Sequence, residues 1–257
     1  MDEIKQKFQT LENAFNSFVK DFGGEVYDEL NSRGHNKPKN ADYIFKQENV
    51  VAELKRFDKD YYQTENDVER VMKKIEKSIS NGYISELELS QYLNKEKESE
   101  KFIDVILSDI RGNVEIVIRS AEKQIKKTKE SFKMEHAKGL LLLANDKSYF
   151  AQLTPLIYIY TAEKLLSERP DTPIDGFVYF ATNKNYELPT EKEIGIIWIN
   201  CYLKKGQEEF ANFIDNLGLK WAEFVSKETG GRIKNMDKWN EEEIHENLEC
   251  LKVILPK

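Results

Sequence analysis

The segment Val50-Val51-Ala52-Glu53-Leu54-Lys55-Arg56-Phe57 constrains the fold more than any other, because it sets an acid and an ammonium inside an apolar run. Side chains alternate along a strand, so Glu53 and Lys55 point to one face, shared with Val51 and Phe57. An unpaired buried charge costs several kcal/mol or more, so a charged pair among apolar neighbours needs partners. A second apolar run, Ala41-Asp42-Tyr43-Ile44-Phe45, carries another acid, with ten residues between Asp42 and Glu53. Lys46-Gln47-Glu48-Asn49 is long enough to close the runs 41–46 and 50–57 into a hairpin, which would set Asp42 across from Glu53 and Lys55.

The flanking segments predict helices and further strands. Ile4, Phe8, Leu11, Phe15, Phe18 and Phe22 recur at spacings of three and four, which predicts a helix over 3–22 stopped by Gly23-Gly24. Residues 31–40 read as a polar loop whose Arg33, His35, Lys37 and Lys39 precede the first motif strand. Residues 58–98 are charged, with a weak helical stripe (Val68, Met72, Ile75, Ile79), and read as a helical insertion. Residues 99–135 read as helical and broken at Gly112-Asn113, with Val114, Val117, Ala121, Ile125, Thr128 and Phe132 on the buried stripe of the second part.

Gly139 to Ala144 reads as a strand apolar on both faces, as in the covered centre of a sheet. A helix over 154–168, strands over 176–181 and 194–203, and a helix over 206–228 follow; the tail 233–257 shows no clear pattern. This order predicts an α/β fold, a mixed sheet flanked by helices, in one domain spanning 1–257 with a helical insertion at about 58–98 and a C-terminal extension at about 206–257.

Composition narrows the chemistry. With 257 residues, 40% hydrophobic and 33% charged, the chain is long enough to bury a core and carries a highly charged surface. Met1-Asp2-Glu3 leads into an amphipathic stretch, the apolar run Leu140–Ala144 is far shorter than a membrane span, and cysteines are few, so a cytoplasmic protein without membrane attachment is expected. His35, His136 and His245 are scattered, as are Cys201 and Cys250, so any bound metal is expected to be a hard ion held by oxygen. The net charge of −7 argues against a broadly electrostatic nucleic-acid binder but leaves room for a local basic cleft.

Two carboxylates, Asp42 and Glu53, with the backbone carbonyl of Leu54, make a donor set suited to Mg²⁺, with Lys55 beside it to orient a water or offset developing charge. At Asp42 and Glu53-Leu54-Lys55 the chain resembles the PD-(D/E)xK nuclease superfamily, the restriction-endonuclease-like fold. The resemblance covers the sheet and its flanking helices, not the 58–98 insertion or the tail, and Ala41 stands where the motif's proline would be.

The resemblance implies a Mg²⁺-dependent nuclease, with Mn²⁺ able to substitute, that hydrolyses phosphodiester bonds in nucleic acid, DNA being favoured, in a restriction or phage-defence setting. It also implies a supporting acid on the preceding helix, matched by Glu12, and a Gln or Lys on the helix before the next core strand, matched by Gln124 and less well by Lys123. On residue type alone, Glu12 and Gln124 are equally ordinary surface helix residues, and the lysines of 123–129 an ordinary solvated face. Two other readings stay open: a catalytically inactive nuclease-fold module that binds nucleic acid or protein, and a structural α/β protein with the 58–98 helices as a docking arm. A homodimer or partner subunits are compatible with all three.

Overall fold

The structure, a computed structural model, describes residues 10–27, 40–56, 65–93, 100–145, 154–188, 191–204 and 206–237. The expected helical residues 3–9, the basic loop 31–39, Phe57 and the tail beyond 237 lie outside the described residues.

Seven strands form one mixed sheet among the described residues, in the spatial order of the sequence. They are β1 (Glu25–Val26), β2 (Tyr43–Phe45), β3 (Val50–Arg56), β4 (Lys138–Asn145), β5 (Gly176–Leu188), β6 (Glu191–Tyr202) and β7 (Arg232–Asp237). β1, β2 and β3 run antiparallel in turn, β4 is parallel to β3, β5 is parallel to β4, β6 is antiparallel to β5, and β7 is parallel to β6. The helices are α1 (Leu11–Phe22), α2 (Glu65–Ser80), α3 (Glu86–Leu93), α4 (Glu100–Ser131), α5 (Thr154–Ser167) and α6 (Glu208–Thr229). The α/β architecture with helices on both faces of a mixed sheet follows the reading above, and the segment 58–98 supplies α2 and α3.

The strand pleat divides the core in two. Leu141 and Leu143 of β4 pack with Val51, α4 and α5 on one face, and Leu140, Leu142 and Ala144 pack with Val50, Ala52, α1 and α6 on the other. All four β4 leucines are fully buried, and burial of one leucine contributes about 1.5–3 kcal/mol. This double coverage explains why the strand is apolar on both faces. On the second face Phe15 and Phe18 of α1 meet Trp221 of α6 at ring separations of 5.0 and 5.3 Å, tying the first helix to the last.

Four expectations need correction. The first helix does not run unbroken from residue 3: Thr10 is extended and caps α1, its hydroxyl accepting the Asn13 N–H at 3.2 Å. Gly112-Asn113 does not break α4, which runs through 32 residues. Gly112 faces open space, so its cost is only the local propensity of about 1 kcal/mol, outweighed by the buried stripe from Ile110 to Ile125. Gly112→Ala is therefore expected to stabilise the protein by about 0.5–1 kcal/mol, read as a higher denaturant midpoint with unchanged m. β5 runs past 181 to Leu188 and β6 starts before 194, at Glu191, both through residues without an apolar pattern, and Arg232–Asp237 adds an edge strand where no element was expected. β1 was likewise unexpected; two residues are too few for a period to show.

Candidate active site

The hairpin forms as expected, with Tyr43 opposite Ala52, Ile44 opposite Val51 and Phe45 opposite Val50. Extending that register by one step puts Asp42 opposite Glu53. There side chains replace the backbone ladder. The Asp42 N–H donates to Glu53 Oε2 at 3.1 Å, and the Leu54 N–H donates to Asp42 Oδ2 at 2.9 Å. On its outer side the Asp42 carbonyl accepts the Tyr27 N–H at 2.8 Å, so Asp42 is held from both neighbouring strands.

Lys55 closes the cluster. Its ammonium lies 2.5 Å from Glu53 Oε1 and donates to Gln124 Oε1 at 2.7 Å. Glu53 is 1% exposed and Lys55 21%, so the acid sits at the bottom of the site and the ammonium at its mouth. The charged pair in the apolar strand thus finds two partners beyond itself: the Asp42 backbone N–H for Glu53 and the Gln124 side-chain amide for Lys55.

Gln124 has a second role. Its Nε2 donates to the Asn40 carbonyl at 3.0 Å, and one turn on, Thr128 Oγ1 accepts the Ala41 N–H at 2.7 Å. Two α4 side chains four residues apart therefore clamp the single peptide unit that leads into Asp42. Ser120, one turn earlier, donates to Gln124 Oε1 at 3.0 Å. Gln124→Ala removes the acceptor for Lys55 and one jaw of the clamp. The expected result is a fall of about 10–100-fold in kcat for the activity proposed below, larger than the accompanying loss of cation affinity, measured by steady-state kinetics beside cation titration.

The electrostatics mark the acid pair as strained in its charged form. Burial, reinforced by Asp42, raises the Glu53 carboxyl to about 8, with Lys55 opposing the rise. Burial raises Asp42 to about 6 against the Leu54 N–H and Lys55, and Glu12 pushes it up further. Burial, then Asp42, Glu12 and Glu53, hold the Tyr43 phenol well above its ordinary range; its hydroxyl donates to Asn16 Oδ1 of α1 at 2.9 Å. Glu12 sits exposed in the first turn of α1, within electrostatic reach of Asp42 but not joined to it.

Each of the named residues has a definite place. Asp42, Glu53, Lys55 and Gln124 form one hydrogen-bonded cluster, with Glu12 at its edge. Leu54 touches Asp42 through its N–H. Lys123 is an exposed neighbour of Gln124, with Lys126 and Lys127 on the same solvent-facing side of α4. Among the described residues no three His, Cys, Asp or Glu side chains converge on one point. A cation here would be held by two carboxylates and neutral oxygens. The donor set fits a hard ion: burial and mutual repulsion oppose ionisation of both carboxyls, which a bound cation would favour, and the Asn40 side-chain oxygen, two residues before Asp42, is buried with no hydrogen-bond partner among the described residues. An unpaired buried oxygen costs about 1–3 kcal/mol.

Sequence reasoning missed Asn40, Ser120 and the clamp role of Thr128. The spacing Ser120, Gln124, Thr128, a polar i, i+4, i+8 line beside an apolar stripe, was the available signal.

The fold and cluster together define an α/β protein with a buried acid–acid–lysine site at the end of a β-hairpin. No protein-family model, curated protein or solved structure matches the chain. Among the described residues no helix is long and apolar enough to cross a membrane.

Proposed function

We propose that the protein is a Mg²⁺-dependent nuclease hydrolysing phosphodiester bonds, with DNA the favoured substrate and the restriction-endonuclease-like fold as its scaffold. One observation carries this reading: the β2–β3 pairing and α4 gather Asp42, Glu53, Lys55 and Gln124, the set on which the resemblance to PD-(D/E)xK nucleases rests, into one hydrogen-bonded cluster. The element order supports it too, with a helix before the hairpin and a helix leading into the parallel strand β4.

Asp42 and Glu53 would hold the cation, with the Leu54 carbonyl as a neutral donor. A divalent ion so bound supplies acidification of a coordinated water and stabilisation of charge on a phosphoryl oxygen. Lys55 has two ammonium hydrogens occupied by Glu53 and Gln124, which fixes its position and leaves the third for a water or a phosphoryl oxygen. Gln124 positions Lys55, and Glu12 adds negative charge beside Asp42. The exposed lysines 123, 126 and 127 offer contacts to a phosphate backbone.

The test is cleavage of supercoiled plasmid, linear duplex, single-stranded DNA and RNA with Mg²⁺, Mn²⁺ or EDTA. Cation-dependent cleavage of at least the DNA substrates is expected. Intact substrates under every condition, with a folded protein, would leave the inactive binding module as the better account.

A further inference from the structure

We propose that Asn40 is a further cation-binding residue of this site, its side-chain carbonyl supplying a neutral oxygen next to the two carboxylates. The inference rests on the nuclease reading and deepens it. Asn40 is 6% exposed, yet its Oδ1 is buried without a hydrogen-bond partner among the described residues. Native chains rarely leave such an atom unsatisfied, and an ion or ordered water is the usual reason when they do.

The position of Asn40 is not accidental slack. Its carbonyl is held by Gln124 and the following N–H by Thr128, so its backbone is fixed from both sides of one peptide unit. The Gln124 side chain that holds the Asn40 backbone also takes the Lys55 ammonium, so one amide joins the backbone of Asn40, two residues before Asp42, to the cluster. A rigid backbone bearing an uncommitted amide oxygen is an arrangement prepared for a ligand, and amide oxygens are ordinary donors to hard cations. The other buried unpartnered oxygens among the described residues are on Glu25, Asn200 and Gln207, none of them adjoining a pair of buried acids in sequence.

The experiment is calorimetric titration of the full chain with Mn²⁺, for wild type, Asp42→Ala, Asn40→Ala and Asn40→Asp, with thermal melts of each in EDTA. Wild type is expected to bind and Asp42→Ala to lose binding. Asn40→Ala should bind about ten-fold more weakly. Asn40→Asp, which keeps an oxygen donor and adds charge, should bind at least as tightly as wild type. In EDTA Asn40→Ala should melt no lower than wild type, because the deleted oxygen had no partner to lose; if it melts lower, the Asn40→Asp affinity decides. Wild-type affinity in Asn40→Ala, or weakened binding in Asn40→Asp, overturns the role of Asn40 while leaving the Asp42 site standing. Binding that is absent from wild type, or unchanged in Asp42→Ala, overturns the cation site itself and Asn40 with it.

Discussion

Asp42→Ala and Lys55→Ala should each lower the rate of Mg²⁺-dependent cleavage by about three orders of magnitude or more, equivalent to about 4 kcal/mol of transition-state stabilisation. They should do so for different reasons, which makes the pair informative. Asp42→Ala removes half of the charged donor set, so cation binding and cleavage fall together. Lys55→Ala leaves both carboxylates in place and relieves Glu53 of its ion pair, so binding survives while cleavage does not.

Neither substitution should unfold the chain. The Asp42 side chain accepts the Leu54 N–H, a bond whose loss is offset by relief of its repulsion with Glu53, and Lys55 stands at the partly exposed mouth. Near-ultraviolet circular dichroism should match wild type, while Lys55→Ala should melt lower in the absence of a cation because the buried Glu53 loses its ion pair. If both variants cut at the wild-type rate, the assignment of the site is wrong.

The second large effect is on stability. In metal-free protein, stability should fall as pH rises from about 4 to 8, and Glu53→Gln should remove most of the fall. The sign follows from proton counting. Asp42 is raised from 3.8 to about 6 and Glu53 from 4.5 to about 8, so the folded state holds protons that the unfolded chain has already released. Where the native state binds more protons, unfolding becomes easier with rising pH. The contribution is fully present below the unfolded values and lost once pH passes the folded ones. Each unit of displacement is worth about 1.4 kcal/mol, so above pH 8 Glu53→Gln should exceed wild type by about 2–4 kcal/mol in EDTA. Mg²⁺ should restore wild type and stabilise the variant much less, because the variant keeps only Asp42 as a charged ligand. Chemical denaturation at steps between pH 4.5 and 8.5 reads this out. A flat wild-type profile would mean that the acids are neither buried nor coupled as described.

Much of this site is legible in local sequence because alternation is a strong rule. Glu53 and Lys55 share a face whatever else the chain does, and the apolar runs around Asp42 and Glu53 leave few ways to pair except as a hairpin. The reach from Lys55 to Gln124 is different: 69 residues separate them, and only the resemblance suggested that a helix before the next strand would supply an amide. Asn40 could not be singled out, since nothing local tells which polar residue of an Asn- and Lys-containing loop will be buried.

The fold divides along similar lines. The double-faced leucines of β4 announce a central strand, and the Phe stripe of α1 announces a helix. The outer reaches of β5, from Thr182 to Leu188, and of β6, from Glu191 to Ile194, lack an apolar period and pair through the backbone, which leaves little trace in composition. Gly112-Asn113 misled because a local breaker was weighed without the tertiary stripe that overrides it.

The most direct measurement of the central claim, that Asp42 and Glu53 form a cation site, is an anomalous difference map from a crystal grown with Mn²⁺. The account predicts a peak within about 2.0–2.6 Å of oxygens from both Asp42 and Glu53, absent from Asp42→Ala crystals. A map with no peak there, or with Mn²⁺ bound only elsewhere, would contradict it.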